Sequence, residues 1–522
     1  MKKSTFLVLV ISCLFAYGRN SVTAKKPNIV LILTDDQDTI LEGMSPMIKT
    51  KKLIQEKGIS FENMFVTSPL CCPSRSSILT GMYTHNHHAI NNSVEGNCAS
   101  NKWQRESEKQ TMNTFLKAMG YGTLFAGKYL NQYGINETGG PQHVPPGWDK
   151  WYGLVGNSKY YKYTLSVNGK PEVHESDYKK DYLTDVISRY ATSFIQSRAS
   201  SSSPFFMFLS TPACHAPFTP APQYKDMFNT SKAPRTPSFD VAGGKTKHWL
   251  IRQTPHPMAK SSIDFLDNAF RNRLRTLLSV DDLVEQVVTM LDKTKQLQNT
   301  FIIFTSDNGY HLGQFSLPVD KRQLYEFDIR VPFLIRGPGL KANKTLQSPI
   351  LNIDIAPTII ELAGGQAPKT MDGRSIVPLL NDSNVEESQE DNKVKVHDAA
   401  VKWREDFLVQ HSGEGKMKVE GCPKLEPGFE SCEPDCVCED TWNNTYSCLR
   451  KLSSSQNFMF CEFRDKEVFM EYYDMTKDPH QLSNIAKKVN PRVLVPLHKR
   501  LEALTMCAGD TCRQEDDNDD DT

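Results

Sequence analysis

The chain has 522 residues, of which 61 are basic and 61 acidic, so its formal charge is zero at neutral pH. That balance gives no electrostatic ground for nucleic acid or a membrane surface as a partner. The length allows a large core and more than one domain.

Lys2 and Lys3, the apolar run from Phe6 to Phe15 and the small residues up to Ala24 read as a cleavable signal peptide over 1–24, and no later segment is apolar enough to serve as a transmembrane anchor. Asn-x-Ser/Thr acceptors at Asn91, Asn136, Asn229, Asn343, Asn381 and Asn443 fit an N-glycosylated protein of the secretory pathway. The 13 cysteines point to the same compartment. Those beyond residue 420 (Cys422, Cys432, Cys436, Cys438, Cys448, Cys461, Cys507 and Cys512) are compatible with a zinc cluster, but an oxidising lumen favours disulfides. If these eight pair among themselves, one of Cys72, Cys98 and Cys214 is left as a thiol, and Cys214 is the expected one.

Asn28 to Leu33 is a continuous, β-branched-rich apolar run, as expected of a strand buried on both faces of a parallel sheet, and it ends in Thr34-Asp35-Asp36. The grammar recurs at Thr123 to Ala126, ending in Gly127-Lys128; at Phe205 to Leu209, leading to Cys214-His215; and at Phe301 to Thr305, ending in Ser306-Asp307-Asn308-Gly309. In an open α/β sheet ligands sit beyond the carboxyl ends of strands, so these polar residues are expected to converge. Helical patterns over Asp181 to Gln196 and Leu277 to Leu291 supply crossovers, and Val331 to Arg336 is a further strand. The domain expected over 25–380 gives way to a polar linker or loop over 381–395. A cysteine-rich domain over 396–514 follows, with strands at Phe407 to Gln410, Thr445 to Arg450, Asn457 to Phe463 and Glu467 to Tyr473 and a helix near Val493 to Leu504, and then an acidic tail over 515–522.

The stretch Leu70 to Gly81 holds two cysteines, a helix-starting proline, a small-residue turn and a terminating glycine. It places Cys71 just ahead of a helix N-terminus, where backbone N–H groups favour an anion and lower a thiol pKa; the alternative is a half-buried disulfide loop. Asp35-Asp36 and Asp307-Asn308 offer hard oxygens, a set suited to Ca²⁺ or Mg²⁺ rather than zinc.

Cys71-x-Pro73-Ser74-Arg75 followed by Ile78-Leu79-Thr80-Gly81 resembles the signature of type I sulfatases. The resemblance implies an α/β, alkaline-phosphatase-like fold: a large, mainly parallel sheet flanked by helices, with a smaller C-terminal α+β domain containing an antiparallel sheet. It implies that Cys71 is oxidised to formylglycine by a formylglycine-generating enzyme, giving a hydrated aldehyde with one hydroxyl to attack sulfur and another to expel sulfate. It further implies that Asp35, Asp36, Asp307, Asn308 and the residue-71 oxygen hold Ca²⁺, and that Arg75, Lys128, His215 and Lys321 act on the sulfate ester. One departure stands out: many family members carry Gly-Lys-x-His, whereas here Gly127-Lys128-Tyr129-Leu130 leaves the base unassigned among His311, His143 and His215.

Longer motifs, His85-Asn86-His87-His88, Asn91 to Cys98, Gly127 to Asn131 and Ser306 to Phe315, resemble the family branch that removes 6-O-sulfate from N-acetylglucosamine of heparan or keratan sulfate. They make His85, Asn91, Glu95 and His311 candidate contacts to a sulfated glycosaminoglycan. The extracellular endosulfatases of the family share much of the catalytic half but carry a long basic insertion not found here, which favours an exo-acting enzyme of the lysosome over a secreted one. A non-catalytic glycan-binding relative is the alternative from another class, and the intact Cys71, Arg75 and acidic set argue against it.

Overall fold

The structure, a computed structural model, describes residues 25–381, 402–414, 439–465 and 467–514. The expected signal peptide, the 381–395 linker beyond Asn381, the acidic tail and Cys422, Cys432, Cys436 and Cys438 lie outside the described residues.

A ten-stranded sheet has a parallel centre made of β1 (Asn28–Thr34), β2 (Gly122–Lys128), β3 (Lys150–Leu154), β4 (Phe205–Ser210) and β5 (Thr300–Ser306), in the order β5-β1-β4-β2-β3. Every residue of β1, β4 and β5 is buried, which is why these strands read as unbroken apolar runs. Helices α1 (Cys71–Thr80), α2 (Leu183–Ser197) and α3 (Lys260–Lys293) cover the sheet; α3, at 34 residues, extends well upstream of the helix expected from Leu277.

The sheet is more mixed than expected. Val331 to Arg336 forms a strand only from Phe333, and it runs antiparallel to β5. A parallel neighbour needs a crossover that carries the chain back along the sheet, and the connection after β5 contains only the short helix Glu326–Ile329 before the chain turns back. At the other edge Tyr163–Val167 and Lys170–His174 add an antiparallel hairpin beyond β3. Its two-residue turn, Asn168-Gly169, has φ of 50° and 85°, the left-handed pair that such a tight hairpin requires.

The C-terminal part is a four-stranded antiparallel sheet, Asp406–His411, Tyr446–Leu452, Asn457–Phe463 and Met470–Asp474, followed by the helix Pro491–Met506. Cys448 and Cys461, opposite one another on adjacent strands, form a disulfide, as do Cys507 with Cys512 and Cys72 with Cys98; among the described residues Cys71 and Cys214 remain unpaired. The small sheet shares one hydrophobic cluster with the large one, Phe407 and Phe460 packing in the same core as Phe65 and Ile335. Charged groups also cross the contact: Arg450 donates to Glu326 at 3.0 Å, and Arg404 pairs with Asp354.

His311 crosses it too. Its Nδ1 lies 3.0 Å from Asp328 and its Nε2 3.0 Å from Glu439, all buried. Burial disfavours the imidazolium, but the two carboxylates outweigh burial and push His311 up to about 10. A folded-state pKa above the ordinary 6.5 makes the charged ring a stabilising group whose contribution is lost as pH rises towards 10, while Glu439, which burial pushes up to about 7, loses its charge on the acid side of that window. An NMR titration of the His311 ring protons is therefore expected to find the ring still protonated well above pH 6.5. A midpoint at or below 6.5 would contradict the charged assignment.

Candidate active site

The arrangement starts at α1. Leu70 is extended, the helix begins at Cys71, and Gly81 closes it with φ of 69°, a conformation that suits glycine. Cys71 is thus the first helical residue rather than a residue ahead of the helix. The expected lowering of its thiol pKa is overturned. Burial pushes the thiol up to about 12, with Asp35 and Asp36 adding to that and Lys128 and Lys321 opposing it, so the helix-end effect is outweighed.

The carboxyl ends of β1, β2, β4 and β5 deliver the partners. Adjacent in the sheet, they set Asp35-Asp36, Lys128, Ser210 and Asp307-Asn308 side by side although 273 positions separate the first from the last. Cys71 Sγ lies 3.7 Å from Asp35 Oδ1. Arg75, one turn along α1, donates Nε to Asp307 Oδ2 at 2.7 Å and Nη1 to the Lys128 carbonyl at 2.9 Å and Ser210 Oγ at 2.8 Å, and its Nη2 is 3.5 Å from Asp35 Oδ1. Lys128 Nζ donates to Asp35 Oδ2 at 2.7 Å and Lys321 Nζ to Asp36 Oδ2 at 2.9 Å. Burial alone would raise Asp35, but the Lys128 ammonium and the Arg75 guanidinium hold it well below the usual carboxylate range. Asp36 is likewise lowered, chiefly by Lys321 working against burial.

His215 Nε2 stands 4.0 Å from Asp36 Oδ2, and its Nδ1 donates to the Ala216 carbonyl at 2.7 Å. That bond leaves the lone pair on Nε2, facing the cluster. Burial, with Lys321 adding to it, lowers the pKa of His215 and keeps the ring neutral.

The donor set fits a hard cation. Ligand atoms of Asp35, Asp36 and Cys71 lie within 4.8 Å of one another. Asn308 spends its Nδ2 on Asp36 Oδ1 at 2.7 Å and on the Gly309 carbonyl at 2.8 Å, which orients its Oδ1 away from both. That oxygen is buried without a partner among the described residues, an arrangement a coordinated cation would satisfy. Asp307 Oδ1 accepts from the backbone N–H groups of Asp36 and Asn308 at 3.0 and 2.9 Å, tying the two pairs together.

The remaining candidates sit differently. Both ring nitrogens of His85 are engaged, with the Cys507 carbonyl at 2.9 Å and Gln410 at 3.0 Å. His311 is held between its two carboxylates and His143 is bound to Glu108 at 2.8 Å, so neither has a nitrogen at the cluster and both are set aside as the base. Glu95 is exposed. Asn91 is 7% exposed, its Oδ1 accepting from the Ser93 N–H and hydroxyl. Asn136, Asn229, Asn343 and Asn381 are at the surface and Asn443 is half-buried. Two residues went unforeseen. Ser158 donates to Asp35 Oδ2 at 2.5 Å and Ser210 accepts from Arg75, but serines in a loop or at a strand end carry no distinguishing signal in sequence.

The family model for Sulfatase matches residues 27–365. N-acetylglucosamine-6-sulfatase of Homo sapiens is 52% identical over 97% of this chain and 89% of its own length. The extracellular sulfatase SULF-1 homolog of Drosophila melanogaster is 42% identical over 76% of this chain but only 34% of its own length. Among solved structures, that of BT4656 in complex with its substrate D-glucosamine-2-N,6-O-disulfate superposes with a TM-score of 0.71 at 22% identity, covering 95% of this chain and 100% of the other. With its parallel sheet, buried Cys71 helix and converging strand ends, the chain belongs to the sulfatase family.

Proposed function

We propose that this sulfatase removes 6-O-sulfate from N-acetylglucosamine at non-reducing ends of heparan or keratan sulfate, using a formylglycine made from Cys71 by a formylglycine-generating enzyme, and Ca²⁺. The observation that carries the reading is the packing of Cys71, Arg75, Lys128, Lys321 and His215 around one buried acidic cluster. The 52% identical relative is named for this activity, and the solved neighbour holds a 6-O-sulfated glucosamine. The lysosome is the compartment that suits such catabolism, with secretion as the alternative.

Hydrated formylglycine supplies two hydroxyls on one carbon, which separates attack on sulfur from release of sulfate. Asp35, Asp36, Asp307 and Asn308 would hold Ca²⁺, which would supply fixed positive charge to the sulfate ester. Arg75 is locked by Asp307 and Ser210, so its Nη2 edge stays directed at the residue-71 side of Asp35. Lys128 and Lys321, each already paired with a carboxylate, present further N–H groups that bind sulfate oxygens without reorganising. Among the described residues His215 is the histidine that turns a free nitrogen to the cluster, and its Nε2 would take the proton of the second residue-71 hydroxyl as that carbon regains its C=O and its bond to the sulfate oxygen breaks.

Four experiments test the reading. The peptide containing residue 71 should be lighter than its thiol form and react with hydrazides, while Cys71→Ser should fold yet stop after a single sulfation event because a serine ester has no second hydroxyl. Fully active protein with an unmodified thiol, or steady turnover by the serine variant, rejects the diol route. Asn308→Ala, which removes the unpartnered oxygen without changing charge, should weaken Ca²⁺ binding in equilibrium dialysis and lower kcat; unchanged stoichiometry and affinity would remove Asn308 from the ligand set. Finally, a defined heparan oligosaccharide should lose only its terminal 6-O-sulfate, whereas loss of internal sulfate from an end-blocked oligomer would identify an endosulfatase.

A further inference from the structure

We propose that Arg273 is a positioning residue for the cation site: it fixes the backbone turn at Asp36 and thereby the direction of that carboxylate. The inference rests on the proposed Ca²⁺ reading and adds to it a residue from α3, an element that contributes no ligand.

Asp36 has φ of 61°, in the left-handed region that residues with a side chain seldom occupy. The turn is what lets Asp35 and Asp36, neighbours in sequence, aim at different partners, Lys128 and Ser158 for one, Asn308 and Lys321 for the other. A strained residue persists only where its surroundings hold it. The Asp36 N–H donates to Asp307 Oδ1 at 3.0 Å, a bond internal to the cluster. The Asp36 carbonyl accepts from Arg273 Nη2 at 2.8 Å and more weakly from Cys214 Sγ at 3.6 Å. Arg273 is therefore the side chain that clamps the Asp36 carbonyl, while the Cys214 N–H holds the Asp35 carbonyl at 2.6 Å and Ser306 Oγ holds the Gln37 N–H at 2.9 Å on either side.

The placement of its charge is selective. Arg273 is 2% exposed, and its counter-charge is Asp38, 3.1 Å from the same Nη2. Asp38 in turn accepts from the Leu41 and Gly43 N–H groups at 2.6 and 3.3 Å, closing the turn downstream. The guanidinium thus grips the Asp36 backbone while leaving the Asp36 carboxylate oxygens to Asn308 and Lys321. Its face lies 4.2 Å from the centre of the Tyr310 ring, which also lies 5.7 Å from Lys321 Nζ, so the ring is shared by the two cations. Nη1 is buried with no hydrogen-bond partner among the described residues. A buried ion pair is expensive and is often replaceable by apolar groups of the same size, so a pair kept with one edge unsatisfied calls for a role beyond stability.

Two full-length secreted variants test this. Arg273→Lys keeps the charge but loses the planar fork, and Asp38→Asn with Arg273→Met removes the ion pair together, leaving no lone buried charge. Calorimetry with Ca²⁺ on chelator-stripped protein should show about 10-fold or greater loss of affinity in both, as for other groups that orient metal ligands. In the variants, kcat should fall at limiting Ca²⁺ and recover as Ca²⁺ is raised, with KM for N-acetylglucosamine 6-sulfate little changed. The melting temperature of the stripped protein is read alongside. Native Ca²⁺ affinity in the double variant, whatever its melting temperature, would make Arg273 a structural residue only and overturn the proposal. A wild-type protein that binds no Ca²⁺ would instead reject the metal reading on which it rests.

Discussion

Three carboxylates, Asp35, Asp36 and Asp307, and three cations, Arg75, Lys128 and Lys321, are packed together at 0–4% exposure, and this mutual neutralisation is the constraint on which the molecule's architecture depends. No member could be buried alone, because desolvating one charge costs far more than any single hydrogen bond returns. The set is formally neutral, so a divalent cation would arrive with charge left over for an anionic substrate and an anionic nucleophile. Binding and chemistry would then both draw on a balance established in the fold.

Such a cluster has to be assembled from distant chain segments, and the parallel centre of the sheet accomplishes that. Each buried strand ends at the same edge, and each hands over to a polar residue where the apolar run stops. The antiparallel additions at both edges widen the platform without contributing to that row. The C-terminal sheet then closes the structure from the side, and its contacts with His311, Glu326 and Asp354 tie it to the segments that follow β5.

Much of this was legible in the sequence because the centre of the sheet is doubly buried. Runs such as Ile29 to Leu33 and Phe301 to Phe304 have no polar residue to confuse the period, and the polar residues that follow them stand out. The edge hairpin around Asn168-Gly169 has short strands, the outer one exposed over all but its last residue, so it carries no buried run in the sequence, although its turn dipeptide is a recognisable signal. Ser158, Ser210 and Arg273 could not be found because common residue types become significant only through contacts made far along the chain. The thiol of Cys71 shows the complementary error. A local rule about helix ends was applied where the deciding quantity, complete burial beside carboxylates, belongs to the tertiary structure.

The burial of Cys71 also has a consequence in time. The residue has no exposed surface, every residue of its helix is buried, and its neighbour Cys72 is bonded to Cys98. If residue 71 is remodelled as proposed, an enzyme can reach it only while the sheet is still open, before the strand ends close over it. In that same interval two adjacent thiols compete for Cys98, and pairing with the wrong one would consume the nucleophile's precursor. The yield of active molecules would then be set during synthesis and translocation, by a race between modification, oxidation and collapse. Molecules that collapsed before modification would keep the fold and carry a sealed, inert thiol that no later encounter could repair.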